Sequence, residues 1–154
     1  MRKCGISAAM IDQLDGISSL YLDSNIFIYV VEDRGALRDA VTAILAEAQT
    51  LGIFLTTSEI TLAECLFGAF RQENEALAGV YRALLSDEGL IRTILCQSII
   101  FEDAARRGAA LSLKLVDAIH IASATHAGCD AFLTNDKGVR GPEKLKIIQL
   151  SDLL

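Results

Sequence analysis

Proline is nearly missing from this chain, with one residue in 154, and tryptophan is absent. With only eleven glycines and no repeat or low-complexity stretch, that excludes a proline-rich linker and a disordered segment. The four cysteines, Cys4, Cys65, Cys96 and Cys129, form no CxxC pair, and three of them lie inside apolar runs. Such spacing fits neither a zinc site nor a disulfide framework. They read as small buried hydrophobes of a reducing compartment. No apolar run approaches the ~18–20 residues that cross a bilayer. Residues 1–19 are interrupted by Asp12 and Asp15 and make no secretory signal. The expectation is a soluble, cytoplasmic protein without a membrane partner. Basic charge is also short, at 14 Lys and Arg against 20 Asp and Glu, a net −6. Binding to nucleic acid through bulk charge is therefore excluded. A nuclease is not, because cations held by carboxylates neutralise the place where a phosphate sits.

What the chain does have is apolar content, at 52% hydrophobic residues, and a length that suits one domain with a real core. Short apolar segments at 19–22, 53–55, 91–95, 131–133 and 146–150 read as strands. Between them, helical periodicity covers 26–31, 37–48, 60–70, 74–85, 98–107 and 115–127. Gly52, Gly108 and Gly128 follow three of these helices as stops, and Thr56 with Glu59 fits a capping box opening the 60–70 helix. Strands separated by helices of this length imply right-handed crossovers and a mostly parallel sheet covered on both faces. The expected fold class is α/β, a three-layer α/β/α sandwich. Residues 1–18 read as an N-terminal extension and 19–154 as a single domain. In such sheets ligands bind beyond the carboxyl ends of the strands.

Four acids fall at that edge. Asp23 follows the first strand, where an Asp also serves as an N-cap. Glu64 interrupts the apolar helix Leu62-Ala63-Glu64-Cys65-Leu66-Phe67, with Gly68 one turn on. A helical glycine costs about 1 kcal/mol, so something is expected to come close there. Asp117 lies in Leu115-Val116-Asp117-Ala118-Ile119-His120-Ile121-Ala122, a helix too apolar for the surface. Asp is rarely buried unless paired or bound to metal, although a first-turn position also favours an anion. Asp136 follows the fourth strand, where an Asx turn is the plain alternative. Two carboxylates ~5 Å apart repel by roughly 3 kcal/mol at an effective dielectric of 20. Four together would strain a domain stable by only ~5–15 kcal/mol, so the cluster implies bound cations. Oxygen ligands without a His or Cys set suit Mg²⁺ or Mn²⁺ rather than Zn²⁺.

Leu22-Asp23-Ser24-Asn25, Ser58-Glu59-Ile60-Thr61-Leu62-Ala63-Glu64, Val116-Asp117-Ala118-Ile119-His120-Ile121-Ala122 and Leu133-Thr134-Asn135-Asp136 occur in that order. This pattern resembles the PIN-domain ribonucleases, and most closely the compact VapC-type toxins of toxin–antitoxin pairs, over residues 20 to 150. The resemblance implies an α/β/α sandwich and Mg²⁺- or Mn²⁺-dependent cleavage of single-stranded RNA. Its acidic positions fall on Asp23, Glu64, Asp117 and Asp136, its polar position on Asn25 and its hydroxyl position on Thr134. A small antitoxin and a second copy of the chain are the implied partners. Two features depart from the family pattern: about 18 residues precede the first strand, and Val139 stands where an aromatic often follows the last acid.

The expected reaction is metal-assisted phosphodiester hydrolysis. Asp23, Asp117 and Asp136 are the expected cation ligands, and Glu64 is expected to hold or deprotonate water. Asn25, Thr134 and His120 are expected to orient the carboxylates, a satisfied core histidine being the alternative for His120. Arg34, Arg71, Lys137 and Arg140 are the candidate RNA contacts. The rival of another class is a catalytically silent PIN-like module that binds RNA or protein. An aspartyl-phosphate enzyme is a poor fit, since Asn25 stands where a phosphatase needs its second Asp. A receiver domain fits no better, because Gln97-Ser98 occupies the place of its phospho-acceptor.

Overall fold

The computed structural model describes residues 7–154. Cys4 lies outside them. The elements follow one another as α1 (Ala8–Leu14), β1 (Ser19–Leu22), α2 (Ser24–Glu32), α3 (Ala36–Thr50), β2 (Phe54–Ser58), α4 (Glu59–Arg71) and α5 (Glu75–Leu85). They continue as β3 (Arg92–Ile94), α6 (Ser98–Leu111), α7 (Leu115–His126), β4 (Ala131–Thr134) and β5 (Lys146–Gln149), and the chain closes in a 3-10 turn, Leu150–Leu153.

The strands form one sheet in the order β3-β2-β1-β4-β5, and every neighbouring pair is parallel. From β1 the chain steps outward to β2 and β3, then returns through α6 and α7 to set β4 on the other side of β1. The connections from β1 and into β4 therefore diverge between these two strands, the place where a parallel sheet opens a crevice at its carboxyl edge.

Alternation along the central strands divides the core in two. Leu20 and Leu22 of β1 and Ala131 and Leu133 of β4 face one side, where they pack with Ile26, Phe27, Val41, Ile44, Cys65 and Tyr81. Tyr21 and Phe132, one residue out of phase, face the other side with Ile121, Ala124 and Val139. This period of two is what a strand buried on both faces produces. Ala118, Ile119 and Ala122 of α7 meet Ile100 and Ala104 of α6 in a third cluster. Each Leu, Ile or Phe so buried contributes about 1.5–3 kcal/mol. The result is the α/β/α sandwich read from the sequence.

Four details differ from the sequence reading. The N-terminal extension contains a helix, α1, that the sequence does not announce: Ser7 caps it by accepting from the Met10 N–H at 3.2 Å, and Met10 and Leu14, one turn apart, are buried in the first cluster. The strand expected at 53–55 runs on to Ser58, so Thr56 is extended and buried and does not cap. Ser58 is the N-cap of α4 and makes no side-chain cap bond, while Glu59 Oε2 accepts from the Cys96 N–H at 3.1 Å. Gly108 does not stop α6 but lies within it, where an added Cβ would meet Ala118 Cβ at 3.2 Å; it marks a close approach of α6 and α7. By contrast Gly52 and Gly128, at φ +71°, do end their helices. Among the described residues no helix is long and apolar enough to cross a membrane. Cys65, Cys96 and Cys129 are free thiols, and burial pushes that of Cys65 up to about 12.

Candidate active site

Asp23 is the first residue beyond β1 and the N-cap of α2, where its Oδ1 accepts from the Ser24 N–H at 2.7 Å. Its other oxygen accepts from the Thr134 hydroxyl, also at 2.7 Å. Asp23 is 4% exposed, so both hydrogen bonds act in a medium of low dielectric. Its N–H continues the sheet ladder to the Leu133 carbonyl at 3.1 Å, which fixes Asp23 against the end of β4.

Thr134 joins the two strand ends. Its Oγ1 donates to Asp23 and accepts from the Asp136 N–H at 3.0 Å. Asn25, in the first turn of α2, donates to the same hydroxyl at 3.4 Å and accepts from the Asn135 N–H at 3.3 Å. Asn135 in turn donates to Tyr29 Oη at 3.0 Å. Asp136 Oδ1 accepts from the Gly138 N–H at 2.8 Å, an Asx turn that orients the carboxylate.

Glu64 reaches the same place from α4. One oxygen each of Asp23 and Glu64 and a ring nitrogen of His120 lie within 4.8 Å of one another. His120 Nε2 is 2.5 Å from Glu64 Oε1 and 3.4 Å from Asp23 Oδ1. Asp117 sits in the first turn of α7, half-buried. Burial first, then the charges of Asp136 and Asp23, hold its carboxyl above the ordinary range, while His120 and Lys114 pull it back only in part. Asp117 thus senses the acids from β1 and β4, and Glu64 meets Asp23 through His120.

A sequence model of the PIN domain matches residues 20–144. The chain belongs to the PIN domain family. No curated protein sequence matches it. Among solved structures, VapBC2 of Rickettsia felis, bound to a promoter DNA fragment, superposes with a TM-score of 0.65 at 16% identity, covering 85% of this chain and 98% of that one. A toxin–antitoxin complex from Klebsiella pneumoniae gives 0.63 at 20% identity, covering 85% and 97%. Mycobacterium tuberculosis VapC20, a sarcin–ricin loop cleaving toxin, gives 0.61 at 16% identity, covering 73% and 86%. At these identities the likeness is one of fold. It places this PIN domain in the same architecture as those proteins.

Of the residues singled out from the sequence, this PIN domain gathers Asp23, Glu64, Asp117, Asp136, Asn25, Thr134 and His120 around the β1 and β4 ends. The basic candidates scatter. Lys137 is exposed beside Asp136, and Arg140 donates to the Leu111 carbonyl at 2.7 Å, at the end of α6. Arg34 lies past the far end of α2, about 14 Å of helix from Asp23 at 1.5 Å per residue. Arg71 closes α4 with its guanidinium 5.6 Å from the Phe67 ring centroid. Gly68, expected to make room for a neighbour, faces open space, since an added Cβ would meet nothing within 4 Å.

Three further residues at the site are not among the acids and polar partners that the sequence points to. Tyr21 Oη bonds His120 Nδ1 at 2.8 Å and Ser58 Oγ at 2.8 Å, and Lys114, just before α7, lends its charge to Asp117.

Proposed function

We propose that the chain is a metal-dependent endoribonuclease that hydrolyses phosphodiester bonds in single-stranded RNA, and that it serves as the toxin of a toxin–antitoxin pair. One observation carries the reading: oxygens of Asp23 and Glu64 lie within 4.8 Å of one another at the carboxyl edge of the sheet, and burial with the charges of Asp136 and Asp23 raises the neighbouring Asp117 carboxyl. A divalent cation among these oxygens relieves that repulsion, and an acidic oxygen set fits Mg²⁺ or Mn²⁺. Asp23, Asp117 and Asp136 would hold it, directly or through water. When bound, the cation supplies charge neutralisation at phosphorus and lowers the pKa of water.

The protein's own groups do the rest. Glu64 orients or deprotonates the attacking water. Thr134 holds Asp23 in place and, with Asn25, fixes the turn that carries Asp136. Lys137 and Lys114 present ammonium groups beside Asp136 and Asp117 for the phosphates, and Arg34, Arg71 and Arg140 form a more distant rim. With a net charge of −6, only such a local rim draws RNA to the site.

The fold likeness to a Klebsiella pneumoniae toxin–antitoxin complex and to a toxin that cleaves the sarcin–ricin loop supports the biological role. Exposed Phe67 and Phe70 on α4 and Leu115 and Val116 on α7 offer apolar surface for a small antitoxin and for a second copy. In this reading the protein works in the cytoplasm, residues 19–154 carry the nuclease, and α1 braces it from the N-terminal extension. The test is cleavage of single-stranded RNA, which should proceed with Mg²⁺ or Mn²⁺, stop with a chelator, and be abolished by Asp23→Asn or Asp117→Asn. Full activity in either variant would sink the assignment.

A further inference from the structure

The connection 135–145 between β4 and β5 carries Asp136, and nearly every polar group of that residue is held. Its N–H donates to Thr134 Oγ1 at 3.0 Å, and its Oδ1 accepts from the Gly138 N–H at 2.8 Å. Its carbonyl accepts twice, from the Val139 N–H at 3.3 Å and from Gln149 Nε2 at 3.0 Å. Among the described residues only Oδ2 makes no hydrogen bond. Gln149 is the last residue of β5 and pairs in register with Thr134, so its side chain reaches the second residue beyond its partner. It shares a face of β5 with Ile147, which packs against Phe132 and Val139 in the second cluster.

The other end of this amide is out of keeping with the rest of the interior. Gln149 Oε1 is buried without a hydrogen-bond partner, the one such side-chain atom among the described residues. An orphaned buried acceptor is destabilising, and native proteins hold few of them. The amide cannot turn over to relieve it, because the Asp136 carbonyl only accepts and requires the NH₂ group. Nor does that carbonyl depend on Gln149 for a partner, since the Val139 N–H already donates to it. A methionine, of nearly the same length, would fill the place without an orphan. The burial of Oε1 is therefore offset by what Nε2 does, which is to fix the backbone of Asp136 from the β5 side. We propose that Gln149 is a positioning residue: it clamps the Asp136 turn from β5 while Thr134 and Asn25 clamp it from β4 and α2, leaving Oδ2 for the cation. The purpose of the clamp rests on the nuclease reading; the clamp itself does not.

Gln149→Met in the full chain tests this. In the chelator-treated variant, amide hydrogen exchange at Asp136, Gly138 and Val139 should quicken about 10-fold, the scale of one hydrogen bond, while the β5 amides keep their wild-type rates. Its metal-free Tm should equal or exceed that of the wild type, because the orphan leaves together with the tether. Mn²⁺, followed by the EPR signal of the free ion, should bind about 10-fold more weakly, the usual scale for partners of metal-site groups. On single-stranded RNA, kcat should fall at unchanged KM. Gln149→Asn, which draws the NH₂ back by one methylene, should loosen the same amides and weaken Mn²⁺ in the same way. Wild-type exchange rates in the turn would overturn the clamp. A metal-free Tm several degrees below wild type in Gln149→Met, or unchanged Mn²⁺ affinity despite a loosened turn, would make Gln149 a structural contact and overturn its positioning role. A loosened turn in a chain that cuts no RNA would support the clamp while refuting the nuclease reading.

Discussion

Replacing Thr134 by valine removes one hydroxyl and keeps the shape of the side chain. That hydroxyl is fully buried, donates to Asp23 Oδ2 at 2.7 Å and accepts from the Asp136 N–H at 3.0 Å. A hydrogen bond to a charged group contributes about 1.5–3 kcal/mol, and the half-buried N–H left without an acceptor costs about 1–3 kcal/mol more. Because valine leaves no cavity, these terms set the loss, roughly 2–4 kcal/mol after partial rescue of the N–H by water. In a chain of this size each kcal/mol moves Tm by about 2–4 °C, so a fall of roughly 5–15 °C is expected. Urea titration of chelator-treated protein measures it, with Thr134→Ser as the control that keeps the hydroxyl. RNA cleavage should fall in Thr134→Val as well, since Asp23 and Asp136 lose their common tether. If Thr134→Val and Thr134→Ser differ by less than about 0.5 kcal/mol, the spread of neutral surface changes, the hydroxyl does not hold the site.

Asp117→Asn should stabilise the metal-free protein. Its folded carboxyl is raised above the ordinary 3.8, so its contribution to stability is present below that value and is lost as pH rises through the raised one. The advantage of the variant should therefore grow over that window and level off above it, which thermal melts from pH 3.5 upward would show; a variant less stable at neutral pH would mark Asp117 as a structural cap. Gly68→Ala on α4 should add up to about 1 kcal/mol of stability from helix propensity, because the new methyl meets open space. Denaturant melts check this, and a loss of stability would mean that the space beside Glu64 is filled.

The layers of the fold were legible because short apolar runs stand between helices of clear periodicity. Leu20-Tyr21-Leu22 and Ala131-Phe132-Leu133 are apolar throughout because both faces of the sheet are covered, and residues 118–124 of α7 are all buried. What escaped was short or ambiguous. In α1 only Met10 and Leu14 mark a buried face, and Asp12 falls between them. Thr56 and Glu59 had capping-box spacing, but pairing of β2 with β1 and β3 kept Thr56 extended. Gly108 has the composition of a stop, while the close approach of Ala118 explains why a glycine stands mid-helix.

At the site, the acids stood out because a lone charge in an apolar run is costly. The caps and turns read as alternatives for Asp23 and Asp136 are present too, since Asp23 caps α2 and Asp136 closes an Asx turn. Structural and chemical roles coincide in these side chains. Tyr21 and Ser58 were invisible for the opposite reason: a hydroxyl in a strand looks like any other until its partner across the sandwich is known. The basic residues could not be placed at all, as exposed Lys and Arg carry no periodic signal.

The most direct measurement is a Mn²⁺ titration of the chelator-treated protein followed by its melting temperature, wild type beside Asp117→Asn. A ligand at 100 times its Kd adds about 2.7 kcal/mol to the folded state. If the four carboxylates form one cation site, Mn²⁺ should raise the wild-type Tm steeply and leave Asp117→Asn nearly unmoved. An equal rise in both proteins, or none in the wild type, would contradict the account.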